Sequence, residues 1–142
     1  MSADHNCIFC KIIAGEIPSA KVYEDEHVFA FLDISQVTKG HTLVIPKAHV
    51  KDIYETSDEI ASQLFARVPK IAQAIEKSFN PKGINILSNT GEAAGQSVFH
   101  LHLHLIPRYD ETDGFSQNWV THNDDYTKED LSNIAETIVQ NI

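Results

Sequence analysis

A chain of 142 residues, 42% of them apolar, carries enough hydrophobic material for one compact domain with a single core, and too much for a disordered segment. Its 20 acidic against 11 basic residues give a formal charge of -9, which repels a nucleic-acid backbone and argues against a large nucleic-acid footprint. No apolar run approaches the ~20 residues of a membrane helix, and the opening MSADHNCIFC has no basic region followed by an apolar stretch, so a cytoplasmic protein without a secretory leader is expected. A small phosphorylated ligand remains compatible with the charge, because it needs only a local pocket of cations or N–H donors.

The first chemistry-bearing pair is Cys7 and Cys10. A disulfide here would close a very small loop in a chain expected in the cytoplasm. A redox pair normally follows a strand, and six residues upstream leave little room for one. The third reading is half of a zinc site whose other ligands are histidines.

Ile8–Ala14 reads as a short helix closed by Gly15 in a left-handed cap, and Pro18 then breaks the chain. Ala20–Tyr23 and His27–Asp33 read as strands around an acidic turn, and Lys39–His41 turns into a third strand, Thr42–Pro46. Thr56-Ser57-Asp58-Glu59 has the pattern of a capping box with Thr56 as cap. Behind it Ile60, Leu64, Val68, Ile71, Ile75 and Phe79 recur at helical spacing, with a kink or loosened turn expected at Pro69. Asn80–Gly83 ends this helix, Ile84–Asn89 is a fourth strand, and Thr90–Gln96 is a loop of small residues. Ser97–Pro107 is a fifth strand, and Thr127–Asp130 caps a last helix with Leu131, Ile134 and Ile138 on one face. Helices and strands are segregated, so the expected fold is a single α+β domain: a five-stranded antiparallel sheet with the long helix packed on it and a C-terminal helix beyond.

The fifth strand contains FHLHLHLIP, Phe99–Pro107. Side chains alternate across a strand, so His100, His102 and His104 share one face and Leu101, Leu103 and Leu105 the other. The leucines can pack under the long helix. The histidine row has three readings: a polar solvent face, one metal held by all three, or a division of labour. At ~3.3 Å per residue His100 and His104 stand about 13 Å apart at Cα, too far to converge easily on one ion. In the divided reading one end histidine holds a metal and the others do chemistry. A neutral imidazole is a competent nucleophile near pH 7. Its attack on phosphorus gives a phosphoramidate, provided its other nitrogen keeps a proton held by an acceptor. Donors for the phosphoryl oxygens are available in Asn89, the Gly95–Gln96–Ser97 backbone and the Ser97 hydroxyl, with His41 or His104 supplying positive charge.

The run HLHLHLI at His100–Ile106 resembles the motif of the histidine triad (HIT) family. SNTGEAAGQSVF is similar to that family's phosphate loop, and CIFCKIIAGEIPSAKVYEDE, AFLDIS and GHTLVIPKAH resemble its Hint-type branch. The likeness spans Cys7 to Arg108, leaving 109–142 as a variable segment. It implies that His102 is the nucleophile, that His104 and His41 contact phosphate, and that Asn89 and Ser97 bind phosphate and steer the leaving group. Asp33 would bind ribose, and Ile8, Phe9, Ile12, Phe31, Ile34 and Leu43 would line a purine slot, with Leu43 equally suited to the core. It further implies a structural zinc on Cys7, Cys10, His49 and His100, and a homodimer. The related nucleotidylyltransferases carry glutamine where this chain has His104, so the resemblance implies a hydrolase of purine nucleoside 5'-phosphoramidates or related nucleotidyl esters. The alternatives are a dinucleoside polyphosphate hydrolase, a hydrolase with catalytic zinc on two motif histidines, and a nucleotide-binding protein without catalysis.

Overall fold

The computed structural model describes residues 4–142. Met1–Ala3, part of the leader reading, lie outside the described residues.

The elements follow the chain as α1 (Ile8–Ile13), β1 (Lys21–Glu24), β2 (Val28–Leu32), β3 (Thr42–Pro46), α2 (Asp58–Phe79), β4 (Gly83–Leu87), β5 (Leu103–Arg108) and α3 (Lys128–Val139). The strands form one antiparallel sheet in the order β1-β2-β3-β5-β4. This is the expected α+β architecture. Every strand boundary but one moves by no more than two residues; the exception is the start of β5. Gly15 does cap α1, at φ 80.

Alternation assigns the two sides of the sheet. Val28 and Ala30 of β2, Val44 of β3, and Leu101, Leu103 and Leu105 form a cluster with Leu64, Val68, Ile71 and Ile75 of α2. Phe29 and Phe31 of β2 and Leu43 and Ile45 of β3 point the other way, onto Cys7, Phe9, Cys10 and Ile12 of the N-terminal segment. The centre of the sheet is therefore covered on both faces, and β2 and β3 are apolar almost throughout. Burying each of these leucines contributes roughly 1.5–3 kcal/mol.

Two local expectations are corrected. β5 begins at Leu103, not Ser97, so His100 and His102 sit on a non-strand segment ahead of it. The cause lies in β3, whose ladder with β5 ends at Val44–Leu103; Pro46 has no N–H to extend it, and its carbonyl oxygen instead accepts from the His100 ring. The cap of α2 is Ser57, whose Oγ accepts from Ile60 N–H at 3.2 Å. Thr56 is occupied elsewhere, its hydroxyl donating to the Asp52 carbonyl at 2.8 Å. α2 continues through Pro69, which lies on the solvent side where water can serve the unpaired carbonyl one turn back.

The C-terminal α3 carries the expected capping box between Thr127 and Asp130, but none of its residues is buried. Leu131, Ile134 and Ile138 stay largely exposed.

Candidate active site and metal centre

The leucines of FHLHLHLIP are buried as expected, and the three histidines part company. His100 is fully buried. Its Nε2 lies 2.8 Å from the Pro46 carbonyl oxygen, so Nε2 carries the proton and Nδ1 offers a lone pair. That Nδ1 is 3.4 Å from Cys7 Sγ, 3.5 Å from Cys10 Sγ and 3.2 Å from His49 Nδ1. Cys10 Sγ is in turn 3.3 Å from His49 Nδ1. All four donor atoms lie within 4.8 Å of one another, two sulfurs and two imidazoles around one point. This donor set suits a tetrahedral soft ion such as zinc. Three separate chain segments supply it: the start of α1, the turn after β3, and the histidine segment. Burial pushes the Cys7 thiol up to about 11, so any ion bound there must displace that proton.

His102 has the opposite tautomer. Its Nδ1 is 2.7 Å from the His100 carbonyl oxygen and must donate to it, leaving Nε2 as the nitrogen with a free lone pair. Burial holds its pKa below the ordinary value, despite opposing help from the His100 carbonyl and Asp33, so the ring is neutral at pH 7. Phe9 packs edge-on against it with centroids 5.1 Å apart.

His104, the second residue of β5, is half-buried. Its Nδ1 lies 2.9 Å from His41 Nε2. Val37 N–H donates to His41 Nδ1 at 3.3 Å, so the proton of His41 resides on Nε2 and is donated to His104. His104 therefore presents Nε2–H as a donor. Burial, with His102 and His41 adding to it, pushes its pKa down to about 4. Asp33, His41 and His104 also form a group that could in principle hold a metal. Two nitrogens on one tetrahedral zinc would stand about 3.3 Å apart, given Zn–N bonds of about 2.0–2.1 Å. The 2.9 Å contact is shorter and fits a hydrogen bond, whereas 3.2 Å between His49 and His100 fits shared ligation.

A cavity of ≈ 390 Å³ opens beside His102 and His104. Asp33, Ser97, Ile8, Phe9, Ile12, Phe31, Ile34 and Leu43 line it, and Leu43 belongs to the core cluster as well. Ile17, Pro18, Ser19, Leu32, Ser35 and Val98 also line it. Nothing in the sequence marks these six except the break at Pro18, where the chain turns beside the slot. Asp33 Oδ1 accepts from Ser35 N–H at 2.8 Å, and Oδ2 stands 3.7 Å from His41 Nε2.

Four of the expected site residues are not on the cavity wall. His41 is buried behind His104 and touches the cavity through it. Gln96 is buried and fully engaged: its Oε1 accepts from Gly91 N–H at 2.8 Å and its Nε2 donates to the carbonyls of Lys51 and Val98. The N–H groups of Gly95 and Gln96 are bonded inside the loop, to Glu92 and Gly91. These two residues therefore shape the loop. Asn89 rests against Gly95, its Nδ2 3.5 Å from that carbonyl oxygen.

A family model described as HIT domain matches residues 14–111. The chain is 65% identical over 142 residues to "Protein hit" of Bacillus subtilis (strain 168), covering 100% of this chain and 98% of that one. It is 43% identical over 114 residues to the adenosine 5'-monophosphoramidase of Schizosaccharomyces pombe, covering 80% and 83%. The crystal structure of a HIT family protein from Bacillus anthracis str. 'Ames Ancestor' superposes with a TM-score of 0.95 at 64% identity, covering 99% of each chain.

Proposed function

The chain belongs to the HIT family, and on that premise we propose that it hydrolyses purine nucleoside 5'-phosphoramidates, or related nucleotidyl esters, through a nucleotide covalently held on His102. One observation carries the reading. At the wall of a nucleotide-sized cavity, a neutral imidazole has its Nδ1 proton tied to the His100 carbonyl and its Nε2 lone pair free.

The nucleoside enters with its base among Ile8, Phe9, Ile12, Phe31 and Ile34, and its ribose hydroxyls donate to the Asp33 carboxylate. His102 Nε2 attacks the α-phosphorus, and a P–Nε2 bond replaces the bond to the leaving amine or alcohol. The leaving group takes a proton from solvent, passed on through the Ser97 hydroxyl on the side where Asn89 lies. His104 Nε2–H donates to a phosphoryl oxygen, and His41 holds His104 in the tautomer that can do so. Water then attacks phosphorus and the P–Nε2 bond breaks; one proton of that water replaces the one given to the leaving group, and the second goes to a departed amine, as its ammonium form, or to solvent when the leaving group is an alcohol. The His100 carbonyl keeps its hold on Nδ1–H throughout, so the imidazolium formed on attack is stabilised in place.

Cys7, Cys10, His49 and His100 would hold a zinc ion, which when bound ties α1 to the histidine segment and, with four protein ligands, has no open position for substrate. We assign the working form to a homodimer in the cytoplasm. The exposed edge strand β4 and the apolar face of α3 support pairing of copies.

The test is release of AMP from an adenosine 5'-phosphoramidate, with acid-sensitive trapping of nucleotide on the protein. His102→Asn should remove both. Turnover undiminished in that variant would sink the mechanism, and a wild-type chain that binds AMP without turnover would favour a binding protein.

A further inference from the structure

Both Asp33 and His41 belong to the loop that joins β2 to β3, one at each end. In the proposed reaction Asp33 meets the ribose and His41 acts on phosphate through His104. Something must hold these ends at a fixed separation. Asp33 N–H donates to the His41 carbonyl at 3.1 Å, a single bond.

We propose that Gln36 is a positioning residue for this site: its one side-chain amide clasps both ends of the β2–β3 loop and so sets where Asp33 and His41 stand. Nε2 donates to the Asp33 carbonyl at 2.6 Å and to the His41 carbonyl at 2.7 Å, and Oε1 accepts from Gly40 N–H at 2.9 Å. Both amide protons and the oxygen are thus used inside one loop. The orientation of the amide is fixed by chemistry, since a flipped group would put its oxygen against two carbonyl oxygens. The clasp also reaches the tautomer chain. The residue next to Gln36 is Val37, whose N–H donates to His41 Nδ1 and thereby keeps the His41 proton on Nε2, facing His104. The middle of the loop is fastened separately, by the Thr38 hydroxyl on the Pro107 carbonyl at 2.6 Å and by His41 N–H on Thr38. Removing the clasp should therefore loosen the two functional ends while the loop stays attached to the sheet.

Gln36 itself is exposed, so water can serve the groups its amide releases and the fold should lose little. That separates a positioning role from a merely structural one. The inference rests on the nucleotide-hydrolase reading, so its test has one arm that needs no substrate. Gln36→Met keeps the length without hydrogen bonds, and Gln36→Glu keeps an acceptor for Gly40 but loses both donors. In each variant 15N NMR of the substrate-free protein reads the His41 tautomer. Steady-state hydrolysis of an adenosine phosphoramidate, and of its 2',3'-dideoxy counterpart, reads kcat and KM. Thermal melting reads the fold.

Both variants should lower kcat by roughly 10-fold or more and shrink the preference for the ribose-bearing substrate. The His41 Nε2–H signature should weaken, and Tm should move by only a few degrees. An unchanged tautomer with unchanged kcat in folded protein overturns the inference. So does a fall in Tm that accounts for all lost activity with the ribose preference intact. If wild-type protein has no hydrolase activity, the functional reading fails by itself, and the His41 spectrum alone then upholds or overturns the clasp.

Discussion

His100 and His104 stand four residues apart in one segment and are the same chemical group, yet they serve opposite ends of the site. At the His100 end the surroundings are soft and closed: two thiols, a second imidazole, no solvent at His100 itself. At the His104 end they are hard and half-open: a carboxylate, a buried imidazole and a cavity. What differs is the atom that holds each ring. A carbonyl on Nε2 leaves His100 with its Nδ1 lone pair turned to the thiols, and a donor on Nδ1 turns His104 into an Nε2–H donor. Between them, the His100 carbonyl takes the Nδ1 proton of His102 and leaves its Nε2 lone pair free, the atom that attacks phosphorus in the proposed reaction. Function is assigned along this segment by backbone and neighbour, one tautomer at a time.

The sharpest way to break this comparison is to remove each ring separately. His102→Asn should cost roughly 10⁴-fold or more in kcat, the scale seen when a nucleophile is lost, with Tm nearly unchanged. His100→Ala should do the reverse: bound zinc, measured by elemental analysis, should fall to background. Stability should drop by about 3 kcal/mol or more, a fall in Tm of about 10 °C. Activity per folded molecule should survive to a much larger extent than in His102→Asn. If His100→Ala loses zinc and chemistry together with its fold intact, the two ends are not separate, and a catalytic metal on the motif histidines regains its place.

The next effect tests the His104 end. Asp33→Asn keeps an acceptor for Ser35 N–H but loses the charge that two ribose hydroxyls would use. Charge-assisted hydrogen bonds contribute about 1.5–3 kcal/mol each, so KM for an adenosine phosphoramidate should rise by roughly 10- to 100-fold while kcat changes less. Zinc content should be unaffected, because the 2.9 Å contact of His41 with His104 is a hydrogen bond rather than shared ligation. Loss of metal in Asp33→Asn would contradict that distinction.

How much of this contrast the sequence carries depends on the kind of contact. Period-two alternation gave the burial of Leu101, Leu103 and Leu105, because that depends on pattern alone, whereas β2 and β3, apolar on both faces, carry no such pattern. The spacing of Cys7 and Cys10 left three readings open, and only folding brings His49 and His100 to them from 39 and 90 residues away. The start of β5 was misplaced because Pro46, on a different strand, decides it. Gln96 reads as a phosphate contact from its place in the loop, yet its amide is spent on Gly91, Lys51 and Val98. Gln36 gave no signal at all, since a glutamine in a polar loop looks like solvent-facing chain until its partners are known. Tautomers belong to the same class: they follow from which carbonyl or N–H comes near a ring, and no spacing rule encodes that.

The smallest expected effect is in pH dependence, and its sign follows from burial. His102 must be neutral to attack, and burial holds its pKa below 6.5. Lowering the pH from 7 to 6 should therefore cost less of kcat than it would in a site built on an ordinary imidazole. Stability behaves differently from activity over the same range. His104 is pushed down to about 4 in the folded protein but titrates near 6.5 when unfolded. Between those values the unfolded chain binds the extra proton, so stability falls as the pH drops from about 6.5 toward 4 and levels off below. His41, also lowered by burial, adds in the same direction. Replacing His104 by Gln removes its share, so the variant should show a shallower loss of Tm over that interval than wild type. A Tm profile for the variant as steep as wild type would mean that His104 titrates normally in the fold, and that the half-open end is wetter than its hydrogen bonds imply.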